Sequence, residues 1–190
     1  MVIRSALVPE EAGLTQENPT TETIPPHVAR YLAGAPQEAG QFAFLIGEWS
    51  ARGNRYHASG AIQFRYQALW RAQYLHERRM VLDDFTFLSP AGEEISSFVT
   101  LRTYAPTTDR WEFAGLTALE PGWCGQWNGR AEGAEMRLVA EIRLPEGRAF
   151  YNRERFHDIE ADSFRWESHD SHDDRATWTL ASALVANRVS

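Results

Sequence analysis

The sequence predicts an all-β protein: about ten antiparallel strands in simple succession, closed into an up-and-down barrel behind a short N-terminal helix. Three observations predict it. Apolar and polar side chains alternate at period two over most of the chain after Gln41. Turn-forming clusters cut these runs at intervals that suit hairpins: Pro90-Ala91-Gly92, Pro106-Thr107-Thr108-Asp109, Pro121-Gly122, Glu132-Gly133, Pro145-Glu146-Gly147 and Asp170 to Asp174. Aromatic residues make up 12% of the 190 positions, with seven Trp, so large flat side chains need a shared interior. A meander of this length leaves two unpaired edges unless its ends join, so closure is expected.

The elements follow in order. Residues 1–24 hold Pro, Thr, Glu, Gln and Asn with few large apolar groups, which reads as a flexible arm. Residues 25–40 read as a short helix and a connection, with Pro25 and Pro26 suited to a first turn and Gly34 to a C-terminal stop. Residues 41–190 form the barrel domain. Its strands are expected at about 42–53, 60–71, 73–86, 94–105, 110–118, 122–131, 134–144, 148–158, 162–169 and 175–188.

Composition removes several functions. The formal charge is −7, which argues against a nucleic-acid partner bound through a basic surface. All 19 basic residues are Arg and none is Lys, which excludes Schiff-base chemistry, a Ser-Lys dyad and a Walker-type phosphate loop. A single cysteine, Cys124, excludes an internal disulfide and a multi-cysteine zinc site, and reads as a small barrel residue. No apolar run reaches the roughly 18 residues of a membrane span. The opening residues turn acidic at once, unlike a signal peptide, so a cytoplasmic location is expected.

Phe42-Ala43-Phe44-Leu45-Ile46-Gly47-Glu48-Trp49 carries Gly-x-Trp at the end of the first expected strand. It resembles the signature of the calycin superfamily, the lipocalins and their relatives, and is most similar to the bacterial lipocalin-like family of unknown function DUF1579. Ser168-His169-Asp170 through Thr177-Trp178 resembles a second segment of those proteins, with Asp173-Asp174-Arg175 where they carry glycines. Arg188 matches the late arginine that packs on the first-strand tryptophan in calycins. The resemblance implies a lumen for a small molecule, with Gly47, Trp49 and Arg188 structural, because a guanidinium stacked on an indole still caps strand-end carbonyls. The short Gly-x-Trp strand is also similar to that of nitrobindin, a haem-binding barrel whose iron ligand is a histidine of the last strand. Residues 178–187 hold no histidine, so neither haem nor another cofactor is expected.

Alternation sorts the side chains into faces. Tyr66 and Trp70 share one; Arg102 and Tyr104 share another with Phe98 and Thr100; Trp111 pairs with Phe113, Trp123 with Trp127, and Phe164 with Trp166. On the third expected strand, Met80 and Leu82 favour the even face as inward, which brings His76 and Arg78 to the lumen. On the eighth, Phe150 and Phe156 bring Asn152 and Glu154. The candidate ligand-binding set is therefore Tyr66, Trp70, His76, Arg78, Arg102, Tyr104, Trp111, Phe113, Trp127, Asn152, Glu154 and Trp166. A lone charge in an apolar lumen costs several kcal/mol, so these groups pair with one another or face a ligand.

Two readings stand. In one, an Arg–Glu bridge and a hydrogen-bonded His only hold strands in register. In the other they form the polar end of a pocket for a small hydrophobic or aromatic molecule. An enzymatic version, of cyclase, isomerase or dehydratase type, would use His76 and Glu154 as catalytic groups, with Arg102 or Arg78 holding an anion. The His169–Asp174 cluster reads as a solvated turn, and no metal is expected. No membrane partner is expected, and a homodimer is the macromolecular association left open.

Overall fold

The computed structural model describes residues 24–119, 122–143 and 149–189, with only the backbone at 122–124. The arm expected over 1–24 lies outside the described residues but for Ile24, as do Pro121, the turn at Pro145–Gly147 and the side chain of Cys124.

The described residues up to Ala33 and those from Gly34 onward belong to two separate units. The first contains α1 (Pro26–Leu32), which opens with Pro in its first turn, where a missing N–H costs nothing. Gly34 follows at φ +101, a left-handed value that suits a residue without Cβ. No helix among the described residues is long and apolar enough to cross a membrane.

The second unit is the predicted barrel. Its strands are β1 (Gly47–Tyr56), β2 (Ile62–Leu75), β3 (Met80–Leu88), β4 (Glu94–Ala105), β5 (Arg110–Thr117), β6 (Gly122–Glu132), β7 (Glu135–Arg143), β8 (Ala149–His157), β9 (Ser163–Ser171) and β10 (Thr179–Arg188). Each pairs antiparallel with its sequence neighbours, and β1 pairs with β10 to close the ring. Closure runs from Trp49 opposite Arg188 to Arg55 opposite Ser182. The interior follows the alternation: Tyr66, Ala68 and Trp70 are buried on β2, and Trp111 and Phe113 on β5. Arg102 on β4 is inward at 4% exposure while Leu101 beside it is 39% exposed.

Two expectations are corrected. The first strand does not begin at residue 42. Gln37–Leu45 forms a 3-10 helix instead, and its inward residues Ala39, Phe42 and Leu45 recur every three positions, the period of that helix. Phe42 and Phe44, two positions apart, imitate the alternation of a strand. The helix plugs one end of the barrel: Phe42 meets Trp111 edge-on at 4.8 Å, and Phe44 meets Phe156 and Phe164 at 5.6 Å each.

The third strand begins at Met80, not 73, and its inward face is Val81, Asp83, Phe85 and Phe87 rather than the even positions. Residues 76–79 make the β2–β3 turn. No Gly, Pro, Asn or Asp marks it, yet His76, Glu77 and Arg78 all take left-handed φ of 49, 55 and 72. The backbone N–H of Arg79 donates to the His76 carbonyl across it, and Arg79 Nη1 caps the same carbonyl.

Candidate functional site

The plugged end is tied together by the residues expected to be structural. The Arg188 guanidinium lies 4.1 Å over the Trp49 ring. Its three nitrogens donate to the carbonyls of Phe44, Ile46 and Ala161 at 2.9–3.3 Å, while Trp49 Nε1 donates to Leu45 O at 2.8 Å. Gly47 sits at φ +127, and a Cβ there would come within 2.5 Å of Arg188 Nη1.

The other end holds a cavity of about 380 Å³, within the range of small-molecule sites. One wall is aromatic. Phe85 stacks on Phe98 at 5.1 Å and meets Phe87 and Trp70 edge-on at 4.7 and 4.9 Å. The opposite wall, on β8 and β9, is polar. Asn152 Nδ2 donates to Ser168 Oγ and Asp170 Oδ1 at 2.8 Å each, and Asn152 Oδ1 accepts from Trp127 Nε1 at 2.9 Å. Trp166 Nε1 donates to Glu154 Oε2 at 3.2 Å.

The cavity also touches a buried ion pair. Arg102 Nη1 donates to Asp83 Oδ1 and Nη2 to Oδ2 at 3.1 Å, and Trp70 Nε1 adds a bond to Oδ2 at 2.7 Å. The guanidinium lies 5.2 Å from the Phe42 ring and 5.3 Å from that of Phe113. Burial lowers the Arg102 pKa to about 9, with Glu154 pulling it back up, so the cation persists at neutral pH. Burial pushes the Glu154 carboxyl up to about 7, and nearby Asp170 adds to it; the Trp166 bond and Arg102 act against this rise.

Of the candidates, Trp70, Arg102, Phe113, Trp127, Asn152, Glu154 and Trp166 line this one cavity. Five do not. His76 and Arg78 are exposed in the β2–β3 turn at the plugged end, with Arg78 over the Tyr74 ring. Tyr104 and Trp111 are packed at that end too, bonded to Asp109 and to Gln41 of the plug. Tyr66 is buried beside the cavity and bonds Ser182 Oγ at 2.9 Å.

Sequence reasoning missed Asp83 and Asp170. Asp83 was lost with the wrong face of β3, although Phe85 and Phe87 two and four residues on share its parity. Asp170 was read as hairpin tip. Its signal was the continued alternation Phe164, Trp166, Ser168, Asp170, which carries β9 through Ser171.

A larger groove of about 740 Å³ runs along β6–β9 and the β4–β5 turn and shares Leu138 and Glu154 with the cavity. Its arginines are largely committed, for example Arg137 to Glu135 at 2.9 Å and Arg155 to Glu167 at 3.2 Å. The lumen is therefore the candidate site. No group of three or more possible metal ligands is present among the described residues.

A closed ten-strand barrel, plugged at one end and hollow at the other, defines a lipocalin-like fold. Solved structures share it. Rv2717c from M. tuberculosis is 13% identical with a TM-score of 0.59, covering 82% of this chain and 99% of that one. The S-type phycobiliprotein lyase CPES from Guillardia theta is 14% identical with a TM-score of 0.50, covering 79% and 91%. At these identities the likeness is one of fold. No family model and no curated protein matches the chain.

Proposed function

We propose that this protein binds a small hydrophobic or aromatic molecule in the open half of the barrel. The observation that carries the reading is the cavity itself. A barrel stabilised only by its core fills its interior with side chains. Here Phe85, Phe98 and Trp70 pack among themselves yet border about 380 Å³ of space, with polar groups gathered on the facing wall. One neighbour of the same fold is a phycobiliprotein lyase, which is a precedent at the level of fold alone. Kinship with DUF1579 is part of the proposal and rests on the segments at 42–49 and 168–178.

Native mass spectrometry of freshly purified protein tests it. The expected result is a species heavier than the polypeptide that sheds a small molecule on denaturation, or uptake of naphthylmethanol by emptied protein. The bare polypeptide mass together with no uptake would overturn the reading.

One observation favours a second reading, a proton-transfer enzyme of isomerase or dehydratase type. Glu154 faces the cavity with its carboxyl near 7, where a general acid–base works at neutral pH. His76 takes no part in this version. Deuterium uptake from solvent into the bound molecule, lost in Glu154→Gln, is its expected signature. No uptake by the parent protein leaves a binder.

A further inference from the structure

Taking the lumen as a binding site, we propose that it selects an amine: an aromatic or aliphatic body against the aromatic wall, with a protonated nitrogen toward Glu154 and Asp170. The charges of the lining favour a cation. Arg102 is the cation deepest in the cavity, and both its terminal nitrogens are on Asp83, so that pair is neutral as a unit. Glu154 and Asp170 lie diagonally across the β8–β9 ladder, since Glu154 is opposite Ser168 and Asn152 opposite Asp170. Each receives only a neutral donor, from Trp166 and Asn152 respectively, and neither has an ion-pair partner among the described residues.

Two carboxylates on one wall thus face ring surfaces on the other, and ring faces also carry negative potential. A cation entering this space is attracted to the carboxylate wall and finds no opposing free charge on the aromatic one. An anion meets two carboxylates, and the one unpartnered donor of the Arg102 guanidinium, Nε, belongs to a cation that Asp83 already neutralises. The remaining cation of the lining, Arg55 on β1, is exposed and stands among the open-end residues, where salt screens it. It would hold an anionic group outside, not within.

The groups facing Glu154 are Arg102 from β4 and Asp170 from β9, with Asp83 from β3 behind Arg102 and Arg55 from β1 toward the mouth. The raised carboxyl of Glu154 fits a group that waits for a cation: it ionises fully only as pH passes about 7 or when a positive charge arrives.

Calorimetric titration with naphthylmethylamine, naphthylmethanol and naphthoate tests this on the parent protein, because the three share one ring system and differ in charge. At about pH 8 the amine is expected to bind about tenfold tighter than the alcohol, a difference of about 1.4 kcal/mol, with naphthoate weakest. At about pH 6 the ratio of amine to alcohol should fall, and Glu154→Gln should remove that pH dependence of the ratio. Asp170→Asn should lower the ratio at both pH values. Naphthoate binding as tightly as the alcohol, or an amine-to-alcohol ratio near one at both pH values, overturns the amine proposal and leaves a neutral-ligand barrel. A naphthoate preference abolished by Arg55→Gln overturns it too. If none of the three binds, the binding reading falls as well.

Discussion

The two ends of this barrel use the same residue types for opposite purposes. At the plugged end, aromatic rings are driven into each other and their N–H groups are saturated: Trp49 on a carbonyl, Trp111 on Gln41, Phe42 edge-on to Trp111. At the open end, Trp127 and Trp166 give their N–H groups to side chains that themselves border space. The carboxylates show the same contrast. Asp83 takes two bonds from Arg102 and one from Trp70, whereas Glu154 takes one from Trp166. A buried polar group with all its partners in the chain holds the fold together. One whose partners are too few is available to something else.

This contrast breaks most visibly at Asp83. Asp83→Ala leaves the Arg102 cation buried without its acid, and should cost about 3–5 kcal/mol in denaturant unfolding. Asp83→Leu combined with Arg102→Met should recover much of that loss, because the pair's desolvation cost vanishes with it. Next comes Arg188→Ala at the plugged end, which removes three donors to carbonyls and the contact with Trp49. About 2–3 kcal/mol should be lost by the same measurement, with ligand affinity unchanged.

The third prediction has the opposite sign. The Glu154 carboxyl is raised in the folded state, so its proton stabilises the fold below the unfolded value near 4.5, and that contribution fades as pH rises through about 7. Glu154→Gln should therefore stabilise the empty protein by about 1–3 kcal/mol at pH 8 and change little at pH 4. A loss of stability at pH 8 would mean that Glu154 belongs with Asp83 as a fold-holding acid. The smallest effect is expected at His76. His76→Ala, in an exposed turn, should stay within about 0.5 kcal/mol of the parent and leave binding unchanged.

How legible this was in the sequence depended on whether local signals agreed. Eight of the strands announced themselves through alternation bounded by Gly, Pro or Asp, and the closure of β10 on β1 through Trp49 and Arg188. Half of the candidate site followed from parity alone: once Phe150 and Phe156 point inward, Asn152 and Glu154 must as well. The failures share one cause. The turn at His76-Glu77-Arg78 reaches left-handed backbone without a turn-forming residue, held by tertiary structure and by Arg79. The strand then seemed continuous, its face was chosen on Met80 and Leu82, and Asp83 was hidden. The plug failed similarly, because Phe42 and Phe44 fit period two, whereas the buried set is Ala39, Phe42 and Leu45 at period three.

The division of labour between the ends is tested most directly by pairing two variants in one calorimetric experiment with naphthylmethanol. Thr100→Phe with Thr117→Phe places two rings in the open cavity, since both threonines line it. Arg188→Ala loosens only the plug. The cavity-filled protein should lose binding and keep its melting temperature, while Arg188→Ala should melt several degrees lower and bind as the parent does. Binding that survives the filled cavity, or that disappears with Arg188, would contradict the account.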